Sequence, residues 1–308
     1  MTRALGEAAG YLALGLAWLL HWLPLGMQAA IGRGLGRVLH RLARSRREIA
    51  RRNLALCFPE LDESRREALL REHFGWLGRS LVEHGLLWFA SADRLKRLIH
   101  VEGDSALAER SARPVMWLAP HFVGLEQAGI ATRLWARRDG VSIYQRQTNA
   151  VMDRALHRGR ARFGHALLYA RDESSRPVVR AIRRGCPFFN LPDMDFGPKD
   201  SAFVPFFGVD ACTLLAPARM ARSLGMVVQP VVATILPGGA GYRIRFLPPW
   251  DDFPGPLDDH EATARINRWI EAVVREDPAQ YLWVHKRFKT RPAGEQGLYA
   301  APSDLPGR

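Results

Sequence analysis

A histidine and a glutamate stand five residues apart in the stretch VMWLAPHFVGLEQAG, residues 115–129. A carboxylate that accepts a hydrogen bond from one imidazole nitrogen fixes the tautomer and leaves the other nitrogen free as a general base. Such a base removes the proton from a hydroxyl group, which then attacks a carbonyl carbon. We therefore take His121 as the candidate base and Glu126 as the carboxylate that orients it.

The apolar segment before His121 predicts where this pair lies in the fold. Residues 115–119 predict a β-strand and residues 124–135 predict a helix, so His121 falls at the carboxyl end of the strand. Ligands bind at that edge of open α/β sheets. Positions i and i+5 of one ideal helix lie about 140° apart, so the two side chains meet only if His121 precedes the helix. Pro120 and Gly124 supply the turn that this geometry requires.

No serine or cysteine nucleophile accompanies His121 in the sequence. The Gly-x-Ser-x-Gly motif is absent, and Cys186 and Cys212 are expected in the core. With Cys57 they form no CxxC pair, which argues against a zinc ribbon or a disulfide framework and indicates a reducing compartment. We therefore expect His121 to activate an acceptor directly, without a covalent intermediate.

A second stretch, NLPDMDFGPKDSAFVPFFG at residues 190–208, holds three aspartates, at positions 193, 195 and 200. Asp193 and Asp195 are either metal ligands that share a site with His121 or turn-forming residues whose carboxylates accept hydrogen bonds from backbone amides. The apolar run FVPFF in the same stretch indicates either a hydrophobic wall for an acyl group or ordinary core packing.

The positive charge of the chain is mostly arginine and amounts to a net +13 over 308 residues. It indicates an anionic partner: nucleic acid, a membrane surface or a phosphorylated substrate.

The stretch RALHRGRARFG predicts a helix that carries four arginines, Arg154, Arg158, Arg160 and Arg162. Part of this face is suited to clamping an anionic head group, because guanidinium binds phosphate in bidentate fashion; a solvated face is the alternative. The stretch YLWVHKRFKTRP at residues 281–292 interleaves aromatic residues with Lys and Arg. Such a strip can stack nucleobases, but beside a membrane anchor it is better suited to the phosphates of the membrane interface.

The N-terminal segment predicts membrane association. Residues 8–32 carry no Asp, Glu, Lys or Arg, and about 20 apolar residues are enough to cross a bilayer. The arginine-rich segment that follows predicts that the rest of the chain lies in the cytoplasm and attracts anionic lipid. We expect an anchor that either spans the bilayer or lies in its interface; a buried core helix is the alternative.

The order of elements predicts one α/β domain behind a helical N-terminal region. Strands that alternate with helices after residue 100 predict a mostly parallel central sheet flanked by helices. We assign residues 1–32 to an N-terminal membrane anchor helix, 33–100 to a basic helical juxtamembrane region, and 101–308 to an α/β core with a C-terminal basic-aromatic segment. Strands are expected at PVMWLAP, VSIYQR, PFFNLPD, MVVQPVVATI and YRIRFLPPW.

Four stretches that occur in order resemble the late acyltransferases of lipid A biosynthesis, the lauroyl- and myristoyltransferase group of Gram-negative bacteria. They are APHFVGLE, LPDMDFGPKDSAFVPFFG, ARMARSLGMVVQPVV and YLWVHKRFKTRP. The resemblance implies transfer of a fatty acyl chain from an acyl carrier protein thioester to a hydroxyacyl chain of a Kdo-bearing, phosphorylated lipid A precursor. It also implies a location at the inner membrane with the catalytic domain facing the cytoplasm, and no metal or redox cofactor.

The resemblance also implies roles for single residues. The family's His-x4-Glu motif falls on His121 and Glu126, its important arginine on Arg160, and its aspartate on Asp193. Asp193 is expected to support the site through hydrogen bonds and to hold no metal. The tetrahedral oxyanion is expected to bind backbone amides at the helix start or a nearby arginine. Relatives often have an Ala-Thr-rich sequence after the PFFG stretch, where this chain has VDACTLLAP. The resemblance therefore does not define the shape of the acyl pocket or the length of the acyl chain.

Three other functions remain as alternatives. An acyltransferase that acts on a lysophospholipid or another lipid acceptor would share a closely similar motif. A metal-dependent hydrolase would use His121, Asp193 and Asp195. A basic, membrane-bound nucleic-acid binder would account for the charge, but the resemblance implies no nucleic-acid partner.

Overall fold

The computed structural model describes residues 2–164 and 166–299. A helical N-terminal region is followed by a sheet that is covered by helices. The helices are α1 (Thr2–His21), α2 (Leu25–Leu42), α3 (Arg44–Cys57), α4 (Glu63–Phe89), α5 (Ala92–Leu98), α6 (Leu107–Arg110), α7 (Leu125–Trp135), α8 (Ala150–Ala161), α9 (Arg176–Arg183), α10 (Ala216–Ser223) and α11 (Asp259–Glu276). The strands are β1 (Ile99–Gly103), β2 (Val115–Leu118), β3 (Val141–Tyr144), β4 (Leu167–Ala170), β5 (Phe188–Asn190), β6 (Ser201–Phe206), β7 (Val209–Leu214), β8 (Val227–Ile235) and β9 (Tyr242–Phe246).

The uncharged N-terminal run is divided between two helices. α1 ends at His21, and Pro24 directly precedes the first residue of α2, where a residue without an N–H is tolerated. In the part of the chain that the structure describes, no helix combines the length and the hydropathy needed to cross a membrane. Residues 1–32 therefore do not form one helix, and the second helix continues to Leu42.

α2 and α4 pack so closely that their backbones are in contact. A Cβ atom added to Gly36 would lie 2.2 Å from the carbonyl oxygen of Phe74, and one added to Gly78 would lie 2.3 Å from that of Gly32. Only glycine permits this approach. The N-terminal helices are thus packed tightly on α4, and α4 in turn contacts the elements of the sheet domain.

The central sheet has seven strands in the order β1-β9-β8-β2-β5-β3-β4. β8, β2, β5, β3 and β4 are mutually parallel, whereas β9 runs antiparallel to β8 and pairs in parallel with β1. Helices cover both faces, because Met116 and Leu118 of β2 belong to one buried cluster and Val115 and Trp117 to another. The predicted mostly parallel α/β sheet is confirmed.

The β6–β7 hairpin forms a separate two-stranded sheet that the sequence analysis did not predict. Its connection uses Phe207 and Gly208, both with positive φ (52° and 75°), which suits a tight hairpin turn. Phe206 and Phe207 are buried in the core cluster that also contains Met116. The run FVPFF therefore contributes to core packing, as one of the two alternatives held.

Candidate active site

His121 and Asp193 meet at the carboxyl ends of two neighbouring strands. β2 and β5 pair in parallel with Leu118 opposite Asn190, and each of the two polar residues follows three positions later. His121 Nδ1 lies 2.6 Å from Asp193 Oδ1, and the backbone N–H of His121 donates to Asp193 Oδ2 at 2.9 Å. One carboxylate thus fixes both the main chain and the ring of the histidine.

Asp193 is suited to orienting an imidazole and stabilising its charged form. Its side chain is fully buried, and burial alone would raise its pKa, but the charge and hydrogen bonds of His121 hold the pKa below the usual value. A carboxylate on Nδ1 defines the tautomer, which leaves Nε2 as the proton acceptor. The His121 side chain is 14% exposed, so the ring borders open space.

The carboxylate in contact with His121 Nδ1 is that of Asp193. Glu126, the orienting residue expected from the sequence, contacts Arg160 instead. Its carboxylate binds the Arg160 guanidinium through two hydrogen bonds, Nε to Oε2 at 3.1 Å and Nη2 to Oε1. The reason is geometric: Glu126 lies in the first turn of α7 and Arg160 in the last turn of α8, while the ring of His121 is held by the loop after β5. Burial disfavours the Glu126 carboxylate, yet Arg160 lowers its pKa to about 2.

The four arginines predicted on one helix differ in their surroundings. Arg160 binds Glu126, and Arg162 donates to the carbonyl oxygens of Leu87 and Ala90 at the end of α4. Arg154 and Arg158 are exposed. Only part of this helix face therefore remains available to an anionic ligand.

A cleft of about 470 Å³ opens beside His121. One part of its wall is polar and includes His121, Glu126 and Arg160. The rest is largely apolar, with Leu125, Ile143, Leu156, Phe188, Phe189, Leu191, Met194, Phe196 and Leu214. Among the described residues that line it there is no serine, threonine or cysteine, so the cleft offers a base but no side-chain nucleophile of those types.

Asp195 has a structural role. Its carboxylate accepts hydrogen bonds from the backbone N–H of Thr290 at 2.6 Å, from the Thr290 hydroxyl at 2.8 Å and from the N–H of Gly197 at 3.0 Å. Of the two alternatives for Asp195, the structure therefore favours a residue whose carboxylate accepts hydrogen bonds from backbone amides. Within residues 2–164 and 166–299, no group of three or more His, Cys, Asp or Glu side chains could hold a metal ion.

The basic-aromatic C-terminal segment contributes buried residues that the sequence analysis assigned to the surface. Arg287 is 2% exposed and donates to the carbonyl oxygen of Cys212 at 3.0 Å and to Thr213 Oγ1 at 2.7 Å. Its charge helps to lower the pKa of Asp193, and burial together with Asp193 raises the pKa of Tyr281. The signal in the sequence was the set of large aromatics that flank Arg287, a pattern typical of buried packing.

The profile of the bacterial lipid A biosynthesis acyltransferase family matches residues 1–290. The chain belongs to this family. It is 34% identical over 293 residues to a lipid A biosynthesis lauroyltransferase of Escherichia coli K12, with 94% of each chain covered. It is 34% identical over 292 residues to a palmitoleoyltransferase of the same strain, again with 94% of each chain covered. A myristoyltransferase of that strain is 33% identical over 267 residues, which cover 85% of this chain and 80% of the relative.

The match to the lipid A acyltransferase family includes the N-terminal helices as well as the cleft. It begins at residue 1 and so contains α1 and α2 together with His121 and Asp193. The helices that pack on α4 are therefore part of the unit that defines this acyltransferase family.

Proposed function

We propose that this lipid A acyltransferase moves a fatty acyl chain from an acyl carrier protein thioester to a hydroxyacyl chain of a Kdo-bearing, phosphorylated lipid A precursor. The observation that carries the proposal is His121, held by Asp193, in the wall of a largely apolar cleft. A base beside an apolar cavity suits a reaction between a hydroxyl and an acyl thioester. The lack of a serine, threonine or cysteine among the described lining residues favours direct transfer.

In the proposed mechanism, His121 Nε2 removes the proton from the acceptor hydroxyl as its oxygen attacks the thioester carbonyl carbon. Asp193 stabilises the imidazolium that forms. The tetrahedral intermediate then collapses, the carbon–sulfur bond breaks, and the imidazolium returns its proton to the departing thiolate. Glu126 has a different part, which is to hold Arg160 in place.

Arg160 is our candidate for binding the oxyanion. The backbone N–H groups of Phe122, Val123 and Leu125 donate to other carbonyl oxygens at 2.8–3.0 Å, so they are already engaged. Arg160 lines the cleft and uses only two of its N–H groups on Glu126. A guanidinium held by a carboxylate is preorganised to donate to developing negative charge.

We further propose that α1 and α2 lie in the cytoplasmic interface of the inner membrane. α1 exposes Leu12 (76%) and Leu19 (59%), and α2 exposes a stripe of one helix face formed by Met27, Ile31, Val38 and Leu42. Arg33, Arg37 and Arg41 lie beside this stripe and are exposed. Such a helix binds a bilayer surface through its apolar face and anionic lipid through its arginines.

The test is mass spectrometry of products from purified enzyme, acyl carrier protein thioesters of several lengths and the tetra-acylated, Kdo-bearing precursor. We expect one added acyl group with the wild type. Asp193→Asn should reduce the rate by about 10³–10⁴-fold, because the histidine loses its orienting charge. Asp200→Asn is the matched control, since Asp200 lies in the same stretch but is 64% exposed; its rate should stay within about two-fold of wild type.

Other outcomes would replace parts of this proposal. A greater loss in Glu126→Gln than in Asp193→Asn would restore Glu126 as the orienting carboxylate. Transfer to lysophospholipids but not to the lipid A precursor would change the acceptor. Loss of activity on chelation, with tightly bound metal, would favour the metal-dependent hydrolase.

A further inference from the structure

Two arginines of α8 lack the partners that their neighbours have. Arg154 and Arg158 lie one turn apart and are exposed, and no hydrogen bond or ion pair of their side chains is found in the described part of the chain. Like charges at i and i+4 of a helix repel each other by a few tenths of a kcal/mol. An anion between them would relieve that repulsion and receive bidentate hydrogen bonds.

These arginines line a cleft that is distinct from the one beside His121. It measures about 430 Å³ and lies between α1, the end of α4 and α8. Tyr11 and Trp88 form other parts of its wall. A Cβ atom added to Gly159 would lie 2.1 Å from Trp88 Cδ1, so the absence of a side chain there lets the indole lie against α8. The cleft thus combines three cations, of which Arg162 is engaged by two carbonyl oxygens, with a phenol and an aromatic surface.

The apolar surface of α1 lies beside this cleft. Tyr11 is followed by Leu12, Leu16 and Leu19, which are exposed by 76%, 55% and 59%. A lipid whose chains cover these leucines would bring its phosphate to the adjoining cleft. A nucleic-acid phosphate would leave the same leucines in water, so the apolar neighbours favour a lipid.

A neighbouring cavity shares wall residues with this cleft and with the candidate active site. Trp88 also lines a cavity of about 390 Å³ between α1, α4 and α8, whose wall includes Met152 and Leu156. Glu126 and Arg160 line that cavity and the cleft beside His121 as well. The cavities therefore border one another in series from the two arginines to the base.

We propose that Arg154 and Arg158 bind the phosphate group of a membrane lipid and hold it beside the cavities that border His121. The use of this position for acyl transfer rests on the proposed function, whereas phosphate binding does not. Two lipids share the chemistry: the acceptor, through its own phosphate, and an anionic phospholipid of the surrounding bilayer.

The first experiment measures co-sedimentation of the full chain with phosphatidylcholine vesicles that contain or lack phosphatidic acid. Arg154→Gln/Arg158→Gln should weaken binding to the phosphatidic acid vesicles by about thirty-fold, the effect of two basic residues at an anionic surface. Arg176→Gln/Arg180→Gln removes the same charge from α9, which packs on β3 and β4, and should change binding by less than about two-fold. Equal losses in the two variants would overturn the proposal.

The second experiment identifies the source of the phosphate. Acyl transfer is measured in neutral detergent with the phosphorylated precursor and with the same precursor after phosphatase treatment. If the acceptor's phosphate is bound, Arg154→Gln/Arg158→Gln raises KM about ten-fold for the phosphorylated form alone; an unchanged KM assigns the site to bilayer phospholipid. If the wild type transfers no acyl group, the proposed function fails, and the vesicle experiment still decides whether the phosphate site exists. Thermal unfolding of both variants checks that they are folded.

Discussion

Two arginine–glutamate pairs in this protein have the same chemistry but different surroundings. Arg79 and Glu83, four residues apart in α4, are 1% and 0% exposed, with Nε 2.8 Å from Oε1. Arg160 and Glu126 come from two helices and remain 28% and 17% exposed beside the cleft. The first pair is sealed in the interior, and the second borders the space where a substrate would bind.

The hydrogen bonds of the two pairs explain their different roles. Arg79 also donates to the carbonyl oxygen of Leu236, and Glu83 accepts from the Tyr242 hydroxyl, each at 2.8 Å. The interior pair therefore ties α4 to β9 and to the end of β8. The guanidinium of Arg160 has N–H groups left for a ligand. An identical pair of side chains stabilises the fold in one place and prepares a binding group in the other.

The largest expected effect concerns the interior pair. Glu83→Ala leaves Arg79 charged and buried without its partner, and loss of such a partner costs about 3–5 kcal/mol of unfolding free energy. Glu72→Ala is the matched control on the same helix, because Glu72 is exposed; its effect should stay within about 0.5 kcal/mol. Chemical denaturation measures both. Similar small effects in the two variants would show that the buried pair contributes no more than a surface residue.

The second prediction separates the two glutamates by pH. Arg160 lowers the pKa of Glu126 from 4.5 to about 2 in the folded protein, so its ionised form contributes up to about 3 kcal/mol near pH 7. This contribution is present above pH 4.5 and lost as the pH falls towards 2. Burial raises the pKa of Glu83, which gives the opposite sign. The difference in unfolding free energy between the wild type and Glu126→Gln should therefore decrease between pH 5 and pH 3, by at least about half of its value at pH 7. A constant difference would contradict the assigned pKa shift.

The smallest effect on stability is expected for Arg160→Lys, which should have a large effect on rate. Lysine keeps the charge near Glu126 but lacks the planar fork, so unfolding free energy should change by less than about 1 kcal/mol. Loss of an oxyanion donor lowers kcat by about a hundred-fold or more. Arg180→Lys serves as the control, because Arg180 is exposed on α9 and does not line the cleft beside His121. A fall in stability without a fall in kcat would show that Arg160 stabilises the fold, as Arg79 does, and does not bind the oxyanion.

Local patterns allowed much of the fold to be predicted. The strand, turn and helix around His121 follow from residues 115–135 alone, and the five predicted strands appear as β2, β3, β5, β8 and β9. β4 was missed because its four residues carry little pattern. β6 was missed because Pro205 and consecutive apolar residues hide the alternation of a strand.

The partners within the site were not predictable in the same way. His121 binds Asp193 because β5 lies next to β2, although β3 and β4 separate them in the chain. Strand order of this kind depends on packing of the whole domain. Glu126 binds a residue 34 positions away, and no feature of the motif around His121 distinguishes that partner from the histidine itself. The family resemblance implied roles for His121, Glu126, Arg160 and Asp193, but it did not indicate which of them are in contact.

The place of β5 in the sheet matters for how the chain folds as it is synthesised. β2, β3 and β4 all precede β5 in the chain, yet in the finished sheet β5 lies between β2 and β3. Until β5 leaves the ribosome, β2 and β3 each lack a neighbour on that side, and unpaired apolar strand edges are prone to aggregation. We therefore expect the nascent chain to depend on chaperones at least until β5 emerges, and the His121–Asp193 contact to form only after that point.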